Sequence, residues 1–117
     1  TALKIACGFG AGMARRQEVC GALTGGIMVL GLVFGRGEGQ DKQAAEETYA
    51  GTRDLMARFQ AEYGSCLCRQ ILGGCDISTE EGRAAFKERD FLNLTCKRCV
   101  RSVVEIVEEL TGSAARP

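Results

Sequence analysis

The chain contains no histidine and no tryptophan, and its single proline is the last residue, Pro117. Without histidine, it lacks the commonest general base at neutral pH, the axial imidazole of many haem proteins and the imidazole ligands of zinc. Without an internal proline, no position before the end is barred from a helix by a proline ring. These absences exclude histidine-dependent chemistry and leave the chain free to form long helices.

An excess of charge of either sign is also missing, because 15 Lys and Arg residues balance 15 Asp and Glu residues. No strong field is available to attract nucleic acid or anionic lipid, so we expect neither as a partner. The 117 residues, 45% of them hydrophobic, match one soluble globular domain with its own core. We therefore predict a single domain over residues 1–117.

No segment alternates between apolar and polar residues as a half-buried strand does, so the sequence predicts an all-α fold. Residues 19–34 carry no charge and are apolar on every side, which indicates a buried central helix that contains glycines. This run is too short for a membrane span of about 20 residues. Asp41 is expected to cap the next helix, and Ser78 with Glu81 forms a capping box. The other predicted helices are residues 1–7 (the end of a helix), 41–63, 65–72, 78–89 and 95–111.

Seven cysteines are present, an odd number that cannot all pair within the chain. Free thiols in this number fit a reducing compartment, so we expect a cytoplasmic protein. Cys96 and Cys99 lie three apart on one helical face in the predicted first turn of the last helix. There the helix dipole, with Lys97 and Arg98, favours a thiolate.

The thiols admit several interpretations. They could be small buried apolar residues of a structural helical module, with or without a structural zinc and as a homodimer. They could instead hold an iron–sulfur cluster, or form a dithiol pair in a protein that works with a redox partner. The spacing matches neither a zinc ribbon nor a ferredoxin, and Val100 follows Cys99 where haem attachment requires histidine. A thiol enzyme using Cys96 and Cys99 is a further possibility, but no acid–base partner is visible.

Glycines flank these cysteines. Gly8, Gly10 and Gly12 do not form a dinucleotide loop, since the third glycine comes one residue early and no strand precedes them. This segment is expected to be a flexible connector; the alternative is a loop that supplies backbone N–H groups to sulfur or to an anion. Gly21 and Gly25 lie one helical turn apart and either allow close helix packing or make room for a cofactor beside Cys20.

The segment Cys20–Gly25, "CGALTG", matches the Cys-Gly-Ala-x-x-Gly signature of the C_GCAxxG_C_C family, which is described as redox-active. The surrounding "GFGAGMARRQEVCGALTGGIMVLGLVFG" is similar to the central segment of that family. The later "YGSCLCRQILGGCDISTEEGR" and "CKRCVRSVVEIVEEL" resemble its Gly-Ser-x-x-Cys segment and its final cysteine helix. The resemblance covers nearly the whole chain in order.

The resemblance implies four site cysteines, of which Cys20, Cys68 and Cys96 are the second, third and fourth. The first belongs to an upstream helix that opens with Asn-Cys, so we expect this chain to lack an N-terminal helix. Cys75 is a better substitute for the missing cysteine than Cys7. The implied function is a small helical redox or electron-transfer domain with Cys20, Cys68 and Cys96 as redox thiols. A metal or iron–sulfur site would use Cys20, Cys68, Cys75 and Cys96, with Gly21 and Gly25 beside the cofactor.

Overall fold

A computed structural model describes the backbone of residues 1–37 and 42–115 and the side chains of residues 1–37 and 42–112. The all-α prediction is confirmed, since the described residues form helices and no strand. None of the described helices is both long enough and apolar enough to cross a membrane. In chain order the elements are α1 (Ala2–Ala6), a 3-10 turn (Cys7–Phe9), α2 (Gly10–Met13), α3 (Gly21–Phe34), α4 (Lys42–Tyr63), α5 (Cys68–Ile71), α6 (Glu80–Glu88), a π-turn (Leu92–Cys96) and α7 (Lys97–Ala115).

The core forms where α3, α4 and α7 pack together, with α3 in contact with both of the other helices. Leu23 and Leu30 of α3 and Leu55 and Phe59 of α4 are fully buried. The apolar stripe of α7 faces them with Val103, Ile106 and Val107. Because α3 is uncharged, it can turn several of its sides to neighbours without burying an unpaired charge.

The helices α3, α5 and α6 begin two or three residues later than predicted, and α5 spans only Cys68–Ile71 of the expected residues 65–72. At α3 and α6 the residues before the helix are held outside it by pairing with a distant segment or by side-chain hydrogen bonds. Val19 pairs with Leu67 in an isolated antiparallel bridge, which keeps it extended and makes Cys20 the N-cap of α3. At α6 the N-cap is Thr79, whose hydroxyl accepts from the Gly82 N–H. The predicted cap, Ser78, instead hydrogen-bonds to a carboxylate of the preceding turn. The predicted cap at Asp41 lies outside the described residues.

The last helix begins earlier than residue 95. The π-turn Leu92–Cys96 continues directly into α7, and Phe91 before it already has helical backbone angles. π-turns are rare and occur frequently at functional sites. Cys96 and Cys99 therefore lie at least one turn inside the helical segment, so the dipole of a helix start does not act on them at full strength.

Candidate thiol site

Backbone pairing between two distant segments brings the first thiols together. The Cys20 N–H donates to the Cys66 carbonyl at 2.9 Å, and the Cys68 N–H donates to the Glu18 carbonyl at 2.7 Å. These bonds flank the Val19–Leu67 bridge. As a result, the start of α3 and the start of α5 lie side by side, and each carries a cysteine.

Four thiols line one small cavity of about 150 Å³. Cys20 comes from the start of α3, Cys68 from α5, Cys96 from the π-turn and Cys99 from α7. The three cysteines implied by the resemblance are thus brought together, and Cys99 joins them. That these residues act as redox thiols stays a prediction.

The other three cysteines do not line this cavity. Cys75, expected to replace the missing site cysteine, directs its thiol to the Gly82 carbonyl at 3.3 Å. Cys66 donates to the Met56 carbonyl at 3.6 Å, and Cys7 is exposed. All seven cysteines are free thiols.

Cys20 is the acidic thiol of the group. The Cys99 thiol donates a hydrogen bond to the Cys20 sulfur, which lowers the pKa of Cys20 from 9.0 to about 6 against the opposing effect of burial. The N–H groups of Ala22 and Leu23 at the start of α3 lower this pKa further. Cys20 is therefore the thiolate of this cavity near neutral pH.

The remaining cavity thiols are held in the protonated form. Hydrogen bonding to Cys20 raises the pKa of Cys99, and burial adds to the effect. Burial also raises the pKa of Cys96 and raises that of Cys68 to about 11. The prediction of thiolates at Cys96 and Cys99 is therefore wrong. Both lie inside the helical segment rather than in its first turn, and the Cys20 charge disfavours a second one nearby.

The short element α2 is not a regular helix: Ala11 and Gly12 have left-handed backbone angles, and with the residues that follow they form a left-handed loop, 11–17, beside the cavity. Gly12 has φ of 67° and is so close to the chain that a Cβ there would lie 2.6 Å from the Gln17 Cα. Only glycine fits such an approach. Residues other than glycine that share positive φ in this loop are Ala11, Met13, Ala14, Arg15 and Gln17. Backbone conformations of this kind cost free energy and cluster at functional sites, which agrees with the position of the loop beside Cys20.

Gln17 fixes this loop to the segment that follows α5. Its side chain is 2% exposed, donates to the Cys75 carbonyl and accepts from the Ile77 N–H at 2.9 Å. Gln17 also opposes the effect of burial on Cys68, because it lowers the pKa of that thiol. A single buried amide thus satisfies two backbone groups and holds the loop against the cavity.

The two glycines expected near a cofactor have different surroundings. Gly21 lines the cavity, and a Cβ there would lie 3.2 Å from the Phe9 carbonyl oxygen. Gly25 is exposed, and a Cβ at this position would meet nothing within 4 Å. The close helix contact instead belongs to Gly26, which is buried against Val103 and Leu55. The cofactor role of Gly21 and Gly25 stays a prediction.

Sequence reasoning missed three residues of this site: Cys99 as the partner of Cys20, Gly12 as the close-approach glycine and Gln17 as the anchor. For Cys99, the three-residue spacing from Cys96 on one helical face was the available signal. For Gly12 and Gln17 no local signal existed, because their roles depend on how the loop folds back and on contacts with residues far along the chain.

The four cavity thiols can be compared with the ligands that a metal ion or an iron–sulfur cluster requires. Four thiols are chemically suited to zinc or iron–sulfur clusters. Among residues 1–37 and 42–115, however, no three Cys, Asp or Glu side chains are arranged to hold one metal ion. The described side chains, as they are placed, therefore do not form a metal site.

The helical fold and the convergence of cysteines on one cavity define a small all-α thiol protein. The sequence matches, over residues 1–110, the family described as "Putative redox-active protein (C_GCAxxG_C_C)", and the chain belongs to this family. Membership supports a general redox role. Comparison with curated proteins and with solved structures gives no match.

Proposed function

We propose that this protein is a dithiol–disulfide redox domain in which Cys20 is the reactive thiolate and Cys99 is its first partner. The observation that carries the proposal is that Cys20, at the start of α3, and Cys99, in α7, line the same small cavity. In this setting Cys99 lowers the pKa of Cys20 to about 6. A thiolate is the nucleophile of thiol–disulfide exchange, and a second thiol in direct contact can complete an internal disulfide. Because both thiols line one small cavity, a disulfide between them would join two helices that already lie side by side.

Cys68 and Cys96 are secondary partners in this proposal, because both line the same cavity. Burial keeps them protonated, so they would react after Cys20 rather than in competition with it. A protein that cycles its thiols needs a redox partner. Its many free thiols fit a reducing compartment, so we infer a cytoplasmic location.

The test is mild oxidation of the reduced protein, followed by peptide mapping of disulfides by mass spectrometry. We expect a bond that joins Cys20 to Cys99, and loss of that bond in Cys20→Ser. A matched control is Cys7→Ser, which changes an exposed thiol outside the cavity and should leave the bond unchanged. If oxidation leaves Cys20 unpaired while other cysteines join, the proposal is wrong.

An iron–sulfur centre for electron transfer is the second version of this function. The donor chemistry supports it, and the arrangement of the described side chains argues against it. Protein purified without air answers the question through elemental analysis and an absorption spectrum. If the protein contains iron and labile sulfide and absorbs visible light, it holds an iron–sulfur cluster, and the dithiol proposal is wrong.

One observation favours a structural interaction module as the alternative. An open apolar groove of about 560 Å³ runs between α3 and α7, next to the thiol cavity. Grooves of this kind accept an apolar helix face, including that of a second copy. Two results would support this alternative. One is zinc in elemental analysis, together with a loss of stability when a chelator removes the metal. The other is a stable homodimer that thiol oxidation does not change. The groove is lined by residues that include Gly25, Val29, Val100 and Val104.

A further inference from the structure

The outer face of α7 combines an apolar stripe with charges that change sign along the helix. Val100 and Val104, one turn apart, are 52% and 48% exposed, and both line the open groove between α3 and α7. Four exposed charged side chains flank this stripe, two basic before two acidic: Lys97, Arg101, Glu105 and Glu108. This face is therefore basic in its first half and acidic in its second half.

These charges are not neutralised within the described part of the chain. Across residues 1–37 and 42–112, none of the four side chains forms an ion pair. Lys97 and Arg101 lie one helical turn apart, and so do Glu105 and Glu108. Each pair thus places like charges beside each other, which slightly disfavours the helix. The stability of α7 alone does not account for this pattern, whereas opposite charges on a second surface would.

A second copy of α7 supplies those opposite charges when the two helices lie antiparallel. If a two-fold axis passes between Val100 and Val104, each of these valines lies opposite the other one in the second copy. The same axis pairs each basic residue with an acidic one: Arg101 with Glu105, and Lys97 with Glu108. A parallel pair would instead place like charges opposite each other, which costs free energy. This face of α7 is therefore complementary to itself in the antiparallel orientation.

The groove beside α7 provides room for the second helix. Its volume is about 560 Å³, and its lining includes Gly25, where a Cβ would meet no atom within 4 Å. Val29 of α3 also lines it and is 42% exposed, so apolar surface continues beyond α7. One end of the groove reaches the thiol cavity, because Gly21, Ala22 and Val100 line both. A helix of the second copy would therefore cover that side of the cavity.

We propose that two copies of this chain associate through an antiparallel α7–α7 interface that covers this groove. The valines supply the apolar contact, and the ion pairs on either side of them fix the orientation of the two helices. Apolar surface with a polar rim is a common feature of protein–protein interaction sites. The dimer does not depend on the dithiol function, because none of its contacts requires a thiol, so either proposal can fail without the other.

The experiment is sedimentation velocity of the intact reduced protein over a series of concentrations. We expect the wild type to approach twice the mass of the chain as its concentration rises. High salt should weaken this association, because salt screens ion pairs near the surface.

Two charge-reversed variants test the orientation of the helices. The acidic variant is Lys97→Glu with Arg101→Glu, and the basic variant is Glu105→Lys with Glu108→Lys. In each variant alone, like charges face each other across the interface, so the Kd of the dimer should rise at least about tenfold. An equal mixture of the two should recover the wild-type mass, because every contact again joins opposite charges.

The matched control is Glu46→Lys with Glu47→Lys, which makes the same change of net charge on exposed residues of α4 and should leave association unchanged. If circular dichroism shows that charge reversal disturbs folding, Val104→Asp gives the same test through one exposed position and should be monomeric. A wild-type protein that stays monomeric at every concentration would overturn the proposal and leave the groove to a different partner. A dimer that charge reversal does not weaken, or a mixture that does not associate, would overturn it as well.

Discussion

Four cysteines share one cavity, yet their protonation differs because each sulfur has different neighbours. Cys20 is the N-cap of α3 and receives the Cys99 hydrogen bond, and both features stabilise its thiolate. Cys68 and Cys96 are shielded from water without a matching donor of that strength, so burial controls their pKa values. At the residue scale, the pKa of each thiol thus depends on its hydrogen-bond partners more than on its position in the cavity.

A first prediction concerns the pKa of Cys20. Alkylation of Cys20 by iodoacetamide, followed across pH by mass spectrometry, should titrate near pH 6 and exceed that of the other cavity thiols at pH 7. Cys99→Ala removes the largest cause of the shift, so the pKa of Cys20 should rise toward 9.0 and the rate at pH 7 should fall roughly tenfold or more. Cys96→Ala, which lines the same cavity without bonding to Cys20, should leave that pKa low. A wild-type titration near 9 would contradict the assignment.

At the scale of elements, the helices that form the core could be predicted from the sequence because their patterns are local. The uncharged run of α3 and the periodic stripes of α4 and α7 identify them to within a few residues. The backbone of residues 11–17 could not be predicted, since five non-glycine residues there have positive φ and the segment is held by distant contacts. The pairing of Cys20 with Cys99 likewise requires α3 and α7 to be packed before the two sulfurs meet.

The packing of α3 predicts opposite effects on stability for substitutions at its adjacent glycines, Gly25 and Gly26. A Cβ at Gly26 would lie 2.5 Å from the Val103 Cγ1 and 3.0 Å from the Leu55 Cδ2, both in the core. Overpacking costs about 1–3 kcal/mol, which exceeds the gain in helix propensity of about 1 kcal/mol. Gly26→Ala should therefore destabilise the protein by up to about 2 kcal/mol in urea denaturation.

Gly25→Ala is the matched control, because Gly25 is exposed and a Cβ there meets nothing within 4 Å. Only the gain in helix propensity acts at this position, so we expect stabilisation of up to about 1 kcal/mol. Equal effects of the two substitutions would mean that α3 does not contact α7 through Gly26.

At the scale of the whole molecule, ionisation of the thiol pair is linked to folding. The cavity is assembled from segments that lie far apart in the sequence, so the Cys20–Cys99 contact exists only in the folded chain. Unfolded cysteines titrate near about 8.5. The pKa of Cys20 is lowered on folding, so its contribution to stability is present above the unfolded value and is lost as pH falls toward 6. The pKa values of Cys66, Cys68, Cys96 and Cys99 are raised, so their contributions are lost as pH increases beyond the unfolded value.

The free energy of unfolding of the reduced protein should therefore rise between pH 6 and about 8.5 and fall at higher pH. One proton gives a slope of at most about 1.4 kcal/mol per pH unit, and partial exposure of Cys20 reduces it. Urea denaturation in a phosphine reductant across this range measures the effect. Cys20→Ser should flatten the rise, and so should the oxidised protein, because a disulfide has no thiol to titrate. A Cys20→Ser variant with the wild-type slope would assign the pH dependence to other groups and remove the evidence that folding creates the thiolate.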